Sequence, residues 1–279
     1  MYHRPETLQD ALALLNGTAL TVAAGCTDLF PATPAQELAG QVLDITAIAA
    51  LRGIDEGADG WRLGAATTWS DILRASLPPA FDMLKQAARE VGSVQIQNAG
   101  TIAGNICNAS PAADGVPPLL ALDAAVELAS STGTRRLALC DFLTGVRQTA
   151  LRPGEMVTAI EVPRASGAGC SRFLKLGARK YLVISIASVA VRVVAPAGRV
   201  EGAALAVGAC SPVPLRLTAL EQRLCGRAPD DLPDAVDDAA IAGALSPISD
   251  IRADAAYRAA AAAELLRRAL GDIADGAAG

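Results

Sequence analysis

A chain of 279 residues exceeds the size that one hydrophobic core usually fills, and its 52% hydrophobic content is enough for two or three packed parts. The formal charge of −5 and the lack of any Lys/Arg cluster argue against nucleic acid, whose binding needs basic groups to displace counterions. Charges interrupt every apolar run before membrane-spanning length and Met-Tyr-His-Arg-Pro carries no apolar leader region, so a soluble cytoplasmic protein without membrane contact is expected.

The six cysteines, Cys26, Cys107, Cys140, Cys170, Cys210 and Cys225, are scattered and form no C-x-x-C pair, and His3 is the single histidine. A zinc or iron–sulfur site therefore lacks its usual local ligands, and the cysteines read as reduced, mostly buried small apolar residues.

In chain order, Thr7 with Asp10 starts a helix that carries Leu8, Ala11, Leu12 and Leu15 on one face and stops at Asn16-Gly17. Strands follow at Ala19–Ala24 and Val42–Ile45, giving a small β-α-β opening with the turn Gly25–Asp28 between them. Gly and Asp suit any tight turn, so by itself this loop reads first as plain punctuation and only second as a phosphate cradle. After Gly57-Ala-Asp-Gly60 come a strand at Arg62–Thr67, a cap signal at Thr68–Asp71 with a short helix, Leu77-Pro-Pro79, and an amphipathic helix over Ala80–Val91.

That helix leads into the stretch Gln95–Asp114, where Gly100 and Gly104 allow close backbone approach and Asn98, Thr101, Asn105, Asn108 and Ser110 supply short polar arms. Ser110-Pro111 reads as an N-cap followed by proline in the first helical position, which would bring free N–H groups, attractive to phosphate, beside the polar turn. The chain continues as helix over Val116–Leu122, strands at Ala125–Ser130, Leu137–Leu139 and Glu155–Val162, and a Gly-rich linker at Ala165–Gly169. Strands at Ile184–Val194 and Val200–Val207 and helices near Leu215–Cys225, Asp234–Ala244 and Ala253–Leu270 make the last part an α+β unit.

Thr101-Ile-Ala-Gly-Asn105 with Ala109-Ser-Pro-Ala-Ala-Asp114 resembles the T-I-G-G-N…A-S-P-x-x-D signature of the FAD-binding (medium) subunits of molybdenum hydroxylases. Ala24-Gly-Cys-Thr-Asp-Leu29 resembles their A-G-G-T-D-L, and the Lys175…Arg179-Lys180 run with Ser246–Arg252 and Tyr257-Arg258 resembles their C-terminal domain. The resemblance implies an α+β chain: a two-part FAD-binding domain of the PCMH type, divided here at 1–55 and 56–164, then a C-terminal sheet-plus-helices domain at 170–279. It also implies non-covalent FAD, with Ala24, Gly25, Cys26, Thr27, Asp28 and Leu29 around the diphosphate and Thr101, Gly104, Asn105 and Ser110 in the second loop. Asp114 then bonds the ribityl or nucleotide region, Val157 touches the ring through its backbone, and Lys175 stabilises reduced flavin. No protein side chain is expected to be catalytic.

Two departures stand out. Cys26 takes the place of the second glycine, where a positive φ would be strained and a thiol would be open to oxidation, and Gln97 stands where the family often has arginine. The partners implied are a small subunit with 2Fe-2S clusters and a large molybdenum subunit, as a dimer of heterotrimers that hands electrons to NAD⁺ or another acceptor. Two other readings fit the same residues: a self-sufficient flavoprotein, with Cys26 or Cys107 as attachment points, and a scaffold that kept the fold and lost the cofactor.

Overall fold

The computed structural model describes residues 1–34 and 38–277, and three sheets organise them. β1 (Tyr2–His3), α1 (Leu8–Leu15), β2 (Thr21–Ala23) and β3 (Val42–Asp44) form the opening unit, in which β1 and β2 both pair parallel to β3. Thr7 caps α1 by accepting the Asp10 N–H at 3.2 Å, and Ala11 and Leu15 are the face it buries. The two-residue β1, too short for a periodicity signal, makes this unit a three-stranded sheet rather than a lone β-α-β.

The second sheet has the order β4-β5-β10-β6-β7, from β4 (Ile54–Gly57), β5 (Gly60–Gly64), β6 (Ala125–Ser130), β7 (Gly133–Ala138) and β10 (Met156–Pro163). β10 runs in the middle and is buried from Met156 to Ile160. Between β5 and β6 the chain makes α2 (Trp69–Arg74), α3 (Asp82–Glu90), α4 (Val94–Ala99), α5 (Ile102–Asn108) and α6 (Val116–Ala121). Between β7 and β10 lie α7 (Leu139–Phe142) and the small hairpin of β8 (Leu143–Gly145) with β9 (Gln148–Thr149).

The third sheet, β11-β12-β13-β14, is antiparallel: β11 (Cys170–Leu176), β12 (Ala187–Val194), β13 (Gly202–Gly208) and β14 (Leu215–Arg216). The alternation of side chains along these strands divides two cores. Val189, Val191, Leu205 and Val207 face α8 (Thr218–Leu224), α9 (Asp238–Ala244) and α10 (Ala255–Ala277), whereas Ala190, Ala204 and Ala206 join the core of the first two sheets. Those alanines keep that face thin enough for α6 to lie against β12 and β13.

Three expectations change. No helix starts at Pro111; residues 111–115 are turns and α6 begins at Val116. Ser110 Oγ instead accepts the Ala112 N–H at 3.3 Å, a local turn that competes with helix. The Ala165–Gly169 stretch is not a loose connector, since Arg164–Gly167 is a short 3-10 turn with Ser166 buried and Gly167 against Trp61, whose ring a Cβ at Gly167 would meet at 2.2 Å. Leu137–Leu139 is the junction where β7 passes into α7. No helix among the described residues is long and apolar enough to cross a membrane.

Candidate functional site

The two glycine-bearing loops are in contact. A Cβ at Gly25 would lie 1.9 Å from the Ala99 carbonyl oxygen, so glycine is required for the first loop to press on the second. On the other side of this contact, a Cβ at Gly100 would lie 3.2 Å from Thr27 Oγ1. The second loop is fixed from behind: the Trp69 N–H donates to the Gly100 carbonyl at 3.2 Å and the Ile102 N–H to the Thr67 carbonyl at 3.0 Å. Thr68 anchors that support through a capping box with Asp71. Thr101 caps α5 by accepting the Gly104 N–H at 3.0 Å, which leaves Gly104 exposed on the first turn.

Cys26 adopts φ +56°, the left-handed conformation foreseen for the position where the resembling subunits carry glycine. The turn this creates leaves the N–H groups of Gly25, Cys26, Thr27, Asp28 and Leu29 without an acceptor among the described residues. Successive main-chain donors around a left-handed residue form a concavity that binds anions. A cleft of about 630 Å³ opens beside them, lined by Tyr2, Ala23, Ala24, Cys26, Phe30 and Asp44 among others. Its aromatic residues are exposed, and the Tyr2 hydroxyl donates to Asp44, which holds the phenol above its ordinary value.

Asn105 lies on α5 with its Oδ1 buried and without a hydrogen-bond partner, close to Gly115 and Trp69. A buried amide oxygen left unbonded costs about 1–3 kcal/mol, so this atom calls for a donor from outside the described residues. Asn98 accepts from the Ser70 hydroxyl at 2.5 Å and belongs to the scaffold. Ser110 is half-buried in the turn that follows α5, after Ala109 at φ +45°.

Asp114 and Lys175 are joined to each other. Lys175 Nζ donates to Asp114 Oδ2 at 2.5 Å, the Ser185 hydroxyl donates to Asp114 Oδ1 at 2.5 Å, and both charged side chains are under 10% exposed. Burial pushes the Asp114 carboxyl up, against the lowering pull of Lys175. Val157 is buried on β10 opposite Leu128, at a bulge between Val157 and Ala159. Gln97 is also buried, and its Nε2 donates to the Arg89 carbonyl at 3.1 Å, so the position serves the C-terminal end of α3.

Sequence reading missed Ser185 and Arg147. Arg147, at φ +58° in the β8–β9 hairpin, donates its N–H to the Ala109 carbonyl at 2.9 Å and its guanidinium to Asn108, bracing the second loop. Neither carried a local signal, because each meets the loop across tens of residues of chain. The two cysteines nearest these loops are poor nucleophiles: burial raises the Cys26 thiol and pushes Cys107 up to about 12. Each shift leaves less of the thiol as thiolate, the reactive form.

These residues fit FAD. The donor-rich turn suits a diphosphate, the orphaned Asn105 oxygen suits a ligand donor, and exposed Gly104 leaves room for close approach. Among the described residues no group of three or more His, Cys, Asp or Glu is placed to hold a metal ion.

Residues 1–165 match the family described as FAD binding domain in molybdopterin dehydrogenase, and residues 172–273 match the CO dehydrogenase flavoprotein C-terminal domain. The glyceraldehyde dehydrogenase medium chain of Sulfolobus acidocaldarius is 32% identical over 278 residues, 98% of each chain. The carbon monoxide dehydrogenase medium chain of Afipia carboxidovorans is 34% identical over 284 residues, 96% of this chain and 94% of that one. Among solved structures, reconstituted CO dehydrogenase from Oligotropha carboxidovorans superposes with a TM-score of 0.90 at 30% identity, covering 98% of this chain and 97% of that one.

Proposed function

This chain belongs to the family of FAD-binding medium subunits of molybdenum hydroxylases, an oxidoreductase family, and from that premise we propose that it is the electron-transfer subunit of a heteromeric enzyme. It takes electrons from 2Fe-2S clusters of a small partner and passes them to NAD⁺ or another acceptor, while a large partner carries the molybdenum. FAD, when bound, supplies the redox chemistry, and the protein supplies binding, orientation and the local field. The observation that carries the reading is the turn Gly25–Leu29, whose five main-chain N–H groups have no acceptor among the described residues and surround a left-handed Cys26.

In this proposal Ala24 to Leu29 hold the diphosphate, with Thr101, Gly104, Asn105 and Ser110 completing the cradle from the second loop. Asp114 and Lys175 act as one neutralised pair rather than as two separate contacts, so Lys175 brings its charge to the flavin already balanced by a carboxylate. Val157 offers main chain at its bulge. In this reading the chain divides at 1–55, 56–164 and 170–279, with β4 (Ile54–Gly57) spanning the first boundary.

The test is the absorption spectrum of protein purified with FAD supplied, followed by acid precipitation. Flavin bands that pass into the acid supernatant are expected. Colourless protein defeats the proposal in favour of a cofactor-free scaffold, and flavin that stays with the pellet defeats its non-covalent part in favour of a self-sufficient flavoprotein.

A further inference from the structure

Lys175 is a buried ammonium with most of its donor capacity unspent. Its side chain is 6% exposed, yet of the three N–H groups an ammonium carries only one is used, on Asp114 Oδ2 at 2.5 Å, and no second acceptor lies within reach among the described residues. Buried donors left without an acceptor are costly, so the other two call for a group from outside the described residues.

Ser185 keeps those two donors unspent. A carboxylate facing an ammonium alone can accept from it through both oxygens, but here the second oxygen is taken: the Ser185 hydroxyl, 1% exposed, donates to Asp114 Oδ1 at 2.5 Å. That hydroxyl is held in place by the chain beside it. The Ile186 N–H donates to the Leu176 carbonyl at 2.8 Å, and Nη1 of the buried Arg258 donates to the Ile186 carbonyl at 2.7 Å. Ser188 gives the contrast, since it lies on β12 directly opposite Lys175, equally buried, and its hydroxyl has no partner. Proximity to Lys175 therefore does not by itself recruit a serine to the pair.

We propose that Ser185 is a positioning residue for the flavin: by occupying one oxygen of Asp114 it restricts Lys175 to a single hydrogen bond with the carboxylate and leaves two ammonium donors for the reduced ring. The proposal rests on the flavin reading above. Without the hydroxyl, Asp114 Oδ1 turns to a second N–H of Lys175, and the ammonium is drawn onto the carboxylate. Reduced flavin carries more negative charge than oxidised flavin and gains more from those donors, so losing one disfavours reduction.

Redox titration of the flavin-loaded protein at one fixed pH tests it. Ser185→Ala is expected to shift the balance toward oxidised flavin by about tenfold, which is a fall of about 30 mV for a two-electron couple. Ser185→Cys, which restores the volume but donates weakly, should fall alike, and Ser185→Thr, which keeps the hydroxyl, should return close to the wild-type potential. A serine that only supports the fold would change stability and leave the potential where it is. An unmoved potential in Ser185→Ala and Ser185→Cys therefore overturns the proposal, as does a fall that Ser185→Thr shares; if Ser185→Ala does not fold, Ser185→Cys decides. Lys175→Gln separates this role from the flavin reading. A potential that falls in Lys175→Gln but not in the Ser185 variants overturns the role of Ser185 alone, and one that ignores Lys175→Gln shows that Lys175 does not serve the ring and overturns the proposal through its premise. Wild-type protein that stays colourless with FAD supplied refutes the flavin reading and this proposal with it.

Discussion

At the scale of one residue, Cys26 shows how a substitution can keep a backbone shape that its side chain disfavours. A left-handed residue with a Cβ costs about 1–2 kcal/mol, and glycine would remove that cost while losing about 0.5–1 kcal/mol through the greater freedom of the unfolded chain. The neighbouring Gly25 has no such latitude, because its Cβ would overlap the Ala99 carbonyl. Cys26→Gly is therefore expected to raise stability by roughly 0.5–1 kcal/mol in urea unfolding and to keep FAD affinity, whereas Gly25→Ala should lose both. A Cys26→Gly protein that binds FAD markedly worse would mean that the thiol itself contributes to the site. The positive φ was legible from the motif alone. The thiol's raised pKa was not, since it follows from burial and from Asp44, which arrives from a different strand.

At the scale of elements, α6 is gripped at both ends by the third sheet. Asp114 precedes it and holds Lys175 and Ser185; Asp123 follows it, at φ +54°, and accepts from Arg192 at 2.9 Å, Arg216 at 2.7 Å and Ser166 at 2.9 Å. Glu221 completes the second grip by accepting from both Nε and Nη2 of Arg216. Local patterns gave the helices and strands on either side, because capping residues and side-chain alternation act over a few residues. The grips were hidden, since the Lys175, Arg192 and Arg216 contacts to Asp114 and Asp123 join residues 61, 69 and 93 apart and nothing in their spacing marks the pairing. The Ser110-Pro111 cap failed for a related reason: the same dipeptide serves a turn, and packing of the third sheet on α6 decides which. With both side chains buried, Asp114→Ala should cost about 3–5 kcal/mol by leaving Lys175 charged and unpartnered. Adding Lys175→Met should recover roughly 2 kcal/mol of that loss in denaturant unfolding. Costs that simply add would show that the pair is not coupled and that each residue works separately.

At the scale of the whole molecule, the resemblance of two short motifs extended to the entire chain: one family model covers residues 1–165, another covers 172–273, and the superposition spans 98% of the length. What the sequence could not reveal is the unity of the core, in which Ala190, Ala204 and Ala206 of the third sheet pack with Leu43 of the first and Ile160 of the second. That shared core joins the three sheets whose connecting segments carry the proposed site. The proposed flavin loops bring donors for a diphosphate, and in the proposed subunit reading the electron reaches the flavin from an iron–sulfur partner. Electron transfer between proteins falls steeply with distance, which requires the donor to seat close to the loops at Gly25–Leu29 and Thr101–Asn105 rather than on the far face formed by α8, α9 and α10. Affinity purification from the native host is expected to recover an iron–sulfur subunit and a molybdenum subunit with this chain. A charge introduced at an exposed position ahead of the second loop, such as Gln95→Lys on α4, should reduce that recovery, whereas Glu264→Lys on α10 should leave it unchanged. Recovery of this chain alone, with full substrate turnover by the single polypeptide, would replace the subunit reading with that of a self-sufficient flavoenzyme.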